Sequence, residues 1–147
     1  MITIDIQDLQ EDISIDISIL REYVARSLKV LGIEQAEISI VIVDDQYIKR
    51  LNTKYLGRNR PTNVLSFSQQ EGPGPKGSHL GDIVISAQRA SDEATHAGMT
   101  AMERVKELLV HGICHLAGYE HEGVSGDKAL EMARLEEDIL TRIDRDE

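Results

Sequence analysis

The sequence predicts a small α+β domain: a mixed sheet of about four strands covered by helices, with a metal-binding helix near the C-terminus. Three observations carry this expectation. Short β-branched segments alternate with longer stretches of helical period, in the order β-α-β-α-β-β-α-α-α and without an internal repeat. The 147 residues amount to one domain, 1–147, large enough to bury a core without disulfides. Histidines at 111, 115 and 121 stand at a spacing that can gather three nitrogen ligands.

Taken in order, Ile2–Ile6 alternates apolar and polar residues and reads as a short strand. Ser18 is placed to cap a helix to about Leu31, with Leu20, Val24, Leu28 and Leu31 on one stripe and Gly32 closing it. Glu37–Val43 is β-branched and bounded by Asp44-Asp45, the clearest strand of the chain. Asp44 or Asp45 then caps a helix over about Gln46–Tyr55, with Ile48, Leu51 and Tyr55 facing inward. Gly57 to Pro61 is a loop and Asn63–Phe67 a strand. Gln70–Ser78 is rich in glycine and proline and reads as a loop rather than a domain linker. Leu80–Ser86 is a further strand, followed by a helix over about Ala87–Ala97. Thr100 and Glu103 form a capping box that opens the histidine helix, which runs to about Leu116. Ser125 caps a last helix to about Ile143, carrying Leu130, Ala133 or Arg134, Glu137 and Leu140 or Thr141 on adjacent rows.

Hydrophobic residues at 41% and charged residues at 29% suit a soluble globular protein. The single cysteine, Cys114, excludes an intramolecular disulfide and fits a reducing setting. The acidic N-terminus lacks the basic region of a signal peptide, and no apolar run approaches membrane-spanning length. A cytoplasmic protein without membrane association is expected; no oligomeric state follows. A net charge of −10 argues against a polyanionic partner until its distribution is considered. No acid lies between Asp45 and Glu71, whereas Lys49, Arg50, Lys54, Arg58 and Arg60 do, which leaves −15 on the rest of the chain. Lys49 and Lys54 read as a solvated helix face. Arg58 and Arg60, in a loop with glycine, asparagine and proline, are candidates for phosphate contact.

The chemistry is concentrated in His111-Gly-Ile-Cys-His115-Leu-Ala-Gly118-Tyr-Glu-His121. Residues four apart on a helix project from one face one turn apart, so His111 and His115 can reach the same ion. Gly118 tolerates the positive φ of a sharp helix end, which lets the chain double back and deliver His121. Three imidazoles leave a fourth position for water, the arrangement of a catalytic zinc site. Zinc is expected, with another divalent transition metal such as nickel or copper open from ligand type alone. An ion so held lowers the pKa of its water toward about 7 and polarises carbonyl or phosphoryl oxygens, which points to hydrolysis.

Metallopeptidases with this helix spacing carry a glutamate after the first histidine as general base. Gly112 stands there instead, and Glu120 and Glu122 are conceivable substitutes or plain surface acids. RNA suits a site without a built-in base, because its 2′-hydroxyl is an internal nucleophile and its phosphate an anion for arginines. Few aromatics (3%) leave little for base stacking, so backbone contacts would dominate. Cys114 could join the metal as a thiolate and close the site, or be a small buried hydrophobe. Met132 could pack beneath the metal, but its helical spacing fits core.

The histidine run resembles the H-G-x-L-H-L-x-G-Y-D-H signature of the YbeY family of bacterial rRNA maturation factors. Pro61-Thr-Asn-Val-Leu-Ser-Phe67 resembles that family's P-T-[DN]-V-L-S-F motif, Leu80-Gly-Asp-Ile-Val-Ile-Ser86 its L-G-D-I-x-I-S strand, and Leu51-Asn-x-x-Tyr-x-Gly57 also matches. The resemblance covers nearly the whole chain in order. It implies an α+β fold and a zinc-dependent, single-strand-specific endoribonuclease that matures the 3′ end of small-subunit rRNA and acts in ribosome quality control. His111, His115 and His121 would be the ligands. Single-stranded RNA, rRNA and the ribosomal small subunit or its assembly factors would be the partners. Pro61–Phe67 would lie beside the site, making Asn63 and Ser66, with Arg60, candidates for substrate binding. The family commonly has arginine in Y-R-G, where this chain has Leu56, and Arg58 is the candidate to supply that catalytic charge. Cys114 and Glu120 replace the commoner leucine and aspartate. Two other readings remain open: a non-catalytic ribosome-assembly factor stabilised by its metal, and a zincin-like metallopeptidase.

Overall fold

A strand with Ile38, Ile40 and Ile42 on one face and Val41 and Val43 on the other must be covered on both sides. The computed structural model describes residues 1–69, 79–118 and 126–144, the last with backbone alone over 126–129. Its elements are β1 (Ile2–Asp8), α1 (Ile17–Val30), β2 (Ala36–Val43), α2 (Asp45–Leu56), β3 (Val64–Ser68), β4 (His79–Ser86), α3 (Ala87–Ala97), α4 (Ala101–Leu116) and α5 (Gly126–Asp144). The four strands form one mixed sheet in the order β1-β2-β4-β3. β1, β2 and β4 run parallel, and β3 is an antiparallel edge on β4.

On one face of the sheet, Ile38, Ile40, Ile42, Ile83 and Ile85 pack against Leu20, Val24 and Leu28 of α1 and Val105, Leu109 and Ile113 of α4. On the other, Val43, Leu65 and Val84 receive Ile48 of α2. Met132, Ile139 and Ile143 of α5 cover Val110 and Cys114 on the outer side of α4. Each such side chain contributes about 1.5–3 kcal/mol by leaving water, so α4 is clamped from two sides over most of its length.

One irregularity sets how closely α4 approaches the edge strand. The β2–β4 register passes from Glu37↔His79 to Ile38↔Gly81, leaving Leu80 as a bulge. The bulge brings Leu80 to the same core as Ile83 and Ile85. Gly81 has φ +153°, and a Cβ there would lie 2.4 Å from the Phe67 carbonyl oxygen and 2.6 Å from Leu116 Cδ2. Only glycine allows β3 and the end of α4 to close on this point.

The expected fold class and element order hold, with local corrections. Asp16, not Ser18, caps α1, its carboxylate accepting the Ile19 N–H at 3.1 Å. A carboxylate at the positive end of a helix is favoured, and it moves the start to Ile17. Asp44 caps α2 through the Tyr47 N–H at 2.8 Å, while Asp45 accepts the Ser86 hydroxyl at 2.6 Å. Tyr55 does not face inward. It is 56% exposed, because α2 is in its last turn there, and its ring meets Phe67 edge-on at 5.4 Å. Along α5 the buried row is Met132, Ile139 and Ile143, whereas Leu130 and Glu137 lie outside. Met132 is core, as its spacing suggested. The Gln70–Ser78 loop, the Ser125 cap, Glu120 and Glu122 lie outside the described residues. Among the described residues no helix is long and apolar enough to cross a membrane.

Candidate metal centre

The capping box expected at Thr100 is present: Thr100 Oγ1 accepts the Glu103 N–H at 3.1 Å and Glu103 accepts the Thr100 N–H at 3.0 Å. With its first turn fixed in this way, α4 divides into three rows. Val105, Leu109 and Ile113 face the sheet, Val110 and Cys114 face α5, and His111 and His115 occupy the remaining sector. The two imidazoles stand edge to face at 4.5 Å between centroids. Their Nε2 atoms converge to 3.0 Å. Two nitrogens on a tetrahedral zinc with Zn–N of about 2.0–2.1 Å lie about 3.3 Å apart, so the pair is within a few tenths of an ångström of a shared ion. The donor set therefore fits zinc.

The helix end behaves as the glycine predicts. Ala117 closes α4, and Gly118 has φ +100° with its N–H donating to the His115 carbonyl at 3.0 Å. His121 lies just beyond, outside the described residues. Among the described residues no three His, Cys, Asp or Glu side chains gather to hold a metal.

Gly112, where a peptidase would carry its glutamate, is buried against the sheet. A Cβ there would meet Ile83 Cδ1 at 3.0 Å and Ser66 Oγ at 3.1 Å. The position faces packed core, so a carboxylate would be neither accommodated nor solvated. The same contact places Ser66, on β3, beside the turn of helix between the two histidines. Cys114 is fully buried, and burial, with Glu136 nearby, pushes its thiol up to about 12. It is a neutral hydrophobe beneath α5.

Glu136 of α5 was not singled out in the sequence. Its carboxylate contacts His111 Nδ1. A signal was there: Glu136 falls on the row of Met132, Ile139 and Ile143, where an acid on an apolar stripe requires a partner. Asn63 donates its amide to Glu93 at 3.2 Å, and it lines a cavity of about 300 Å³ shared with His111, Glu136 and Arg104. Arg104 bonds to Glu93 and Glu107, each at 2.9 Å.

Arg58 and Arg60 stand exposed on the loop after α2, and Leu56 is half-exposed beside them. The loop backbone is nevertheless held. Asn52, 2% exposed, donates to the Arg60 carbonyl at 2.9 Å, and the Arg58 N–H returns to the Asn52 carbonyl at 3.2 Å. Tyr55 touches Phe67 at the far end of β3, and the chain must return to Val64 at its start. The loop that carries Arg58 and Arg60 therefore leads into the edge strand whose other face meets α4.

Comparison with known proteins matches residues 5–144 to the family model described as Endoribonuclease YbeY. A Syntrophus aciditrophicus protein of that name is 36% identical over 139 residues, 93% of this chain and 87% of the relative. One from Geobacter metallireducens is 40% identical over 86% of each chain, and one from Syntrophotalea carbinolica 38% identical over 95% of each. A solution structure from Thermotoga maritima superposes with a TM-score of 0.63 at 22% identity, covering 98% of this chain and 93% of the other. It shares the fold.

Proposed function

The chain belongs to the Endoribonuclease YbeY family, and on that premise we propose a zinc-dependent endoribonuclease that cuts single-stranded RNA in rRNA maturation and ribosome quality control. Its targets are the 3′ end of small-subunit rRNA, met on the ribosomal small subunit or with its assembly factors, in the cytoplasm. The observation that carries the reading is the convergence of His111 and His115 Nε2 to 3.0 Å on a helix clamped from two sides. When bound, zinc supplies Lewis-acid polarisation of a phosphoryl oxygen. His111 and His115, with His121, hold it.

The chain's own residues account for the rest. Arg58 and Arg60 bind the phosphate backbone along β3, and Arg58 stands in for the family arginine absent at Leu56 by placing a guanidinium near the developing negative charge. Ser66, beside the turn between the two histidines, is assigned a bond to a sugar or phosphate oxygen. Asn63 aligns the start of β3 and contributes to the same groove. The buried Gly112 removes the general base a peptidase needs, which disfavours that reading.

The test is cleavage of an end-labelled single-stranded RNA by metal-stripped protein, before and after zinc, beside His115→Ala. Cleavage restored by zinc and absent in the variant is expected. A folded, zinc-loaded protein that binds RNA without cutting it, alone or on small subunits, would replace this reading with the assembly factor. Product ends identify the nucleophile: a cyclic phosphate for the 2′-hydroxyl, a 5′-phosphate for water.

A further inference from the structure

His111 has a second nitrogen, and what that nitrogen touches decides whether Nε2 can be a ligand. A carboxylate facing a ring nitrogen is matched by a proton on that nitrogen, so the contact between Glu136 and His111 Nδ1 favours the Nδ1–H tautomer. The Nε2 lone pair is then left facing His115. Glu136 lies on α5, 25 residues from His111 in sequence, and α5 is docked independently of it. Met132, Ile139 and Ile143 are buried beneath the helix, Lys106 Nζ bonds Asp144 at 2.6 Å, and Arg26 donates to the Ile143 carbonyl at 2.7 Å. Arg104, the cation that lines the same cavity, is engaged by Glu93 and Glu107.

We propose that Glu136 is a positioning residue of the metal centre: from α5 it holds His111 in the Nδ1–H tautomer and ring orientation that present Nε2 to the ion. The assignment rests on the metal-centre reading above. A carboxylate behind a ligating imidazole fixes its orientation and raises its basicity, and its loss typically costs about 10- to 100-fold in metal affinity.

The experiment compares the full-length protein with Glu136→Ala, Glu136→Gln and Ile139→Ala. Zinc affinity is read by competition with a chromophoric chelator, and the His111 tautomer in metal-free protein by long-range proton–nitrogen NMR. Glu136→Ala is expected to weaken zinc about 10- to 100-fold and to shift His111 from the Nδ1–H form. Glu136→Gln, which can still accept from Nδ1, should recover the tautomer and part of the affinity. Ile139→Ala, which loosens α5 without touching His111, should lower metal-free stability and change zinc affinity by less than about threefold, separating a positioning role from a structural one. Wild-type His111 protonated on Nε2, or tight zinc binding within twofold of wild type in Glu136→Ala, overturns the assignment alone. A folded wild-type protein that binds no zinc overturns the metal-centre reading and the positioning role with it.

Discussion

The histidine row of α4 and the arginine loop after α2 flank the same edge strand, yet they are built in opposite ways. His111 and His115 sit on a helix buried on two sides, with a capping box at its start and a positive-φ glycine just past its end. Their separation is set by helical period, and little can move without dislodging core. Arg58 and Arg60 are exposed on a loop whose backbone is fastened by Asn52. A metal requires nitrogens fixed to within tenths of an ångström, whereas a phosphate chain needs charge along a path. Rigidity is placed where the geometry is demanding.

The sharpest way to break this contrast is to remove a ligand. Structural zinc sites with four ligands bind with about 10–16 kcal/mol, so losing one of three ligands should weaken zinc by a few hundred-fold or more. His115→Ala should do so while the metal-free protein melts as wild type, because His115 is only half-buried. Chelator competition and calorimetry read the two quantities.

Next in size is Gly112→Glu, which would restore the peptidase pattern in sequence alone. It should destabilise the protein by roughly 3 kcal/mol or more, since a charged side chain is forced against Ile83 and Ser66. Denaturant titration measures the loss, and a panel of unstructured peptides should remain uncut.

On the other side, Arg58→Ala and Arg60→Ala should each weaken RNA cleavage about tenfold, the worth of one charge-assisted hydrogen bond to phosphate, with stability within about 0.5 kcal/mol of wild type. The dependence of RNA affinity on log salt should shallow by about 0.7 for each phosphate that no longer meets an arginine. An Arg58 effect on turnover, beyond binding, would mark it as the replacement for the arginine absent at Leu56.

The smallest effect lies at the N-terminus of α4. Thr100→Ala should cost about 1 kcal/mol of stability and leave zinc affinity unchanged. Backbone and side-chain hydrogen bonds with Thr100 hold the Glu103 carboxyl below its ordinary 4.5. A depressed carboxyl stabilises the fold above its unfolded value and loses that contribution as pH falls through the folded one. Glu103→Gln has no carboxyl to titrate, so the stability of wild type relative to it should fall below about pH 4.5 in thermal melts.

What was legible in the sequence follows the same division. Periodic and capped elements could be read because their signals are local: the isoleucines of β2, Asp44 before α2, Thr100 and Glu103, and the histidines one turn apart. Asp16 was missed because Ser18 is an equally good capping type, and only the backbone decides which carboxylate or hydroxyl meets a free N–H. Tyr55 was misplaced because periodicity cannot show that a helix is about to end. Glu136 was missed because its partner is 25 residues away, although an acid on the row of Met132 and Ile139 was visible. The Asn52 strap and the Gly81 approach depend on tertiary neighbours with no local pattern.

The most direct test of an all-imidazole centre on α4 is X-ray absorption of the zinc-loaded protein at the zinc edge. Nitrogen scatterers at about 2.0–2.1 Å with the outer-shell pattern of three imidazoles are expected, and no sulfur. A sulfur shell at about 2.3 Å would put Cys114 on the metal and contradict its burial beneath α5 as a neutral thiol.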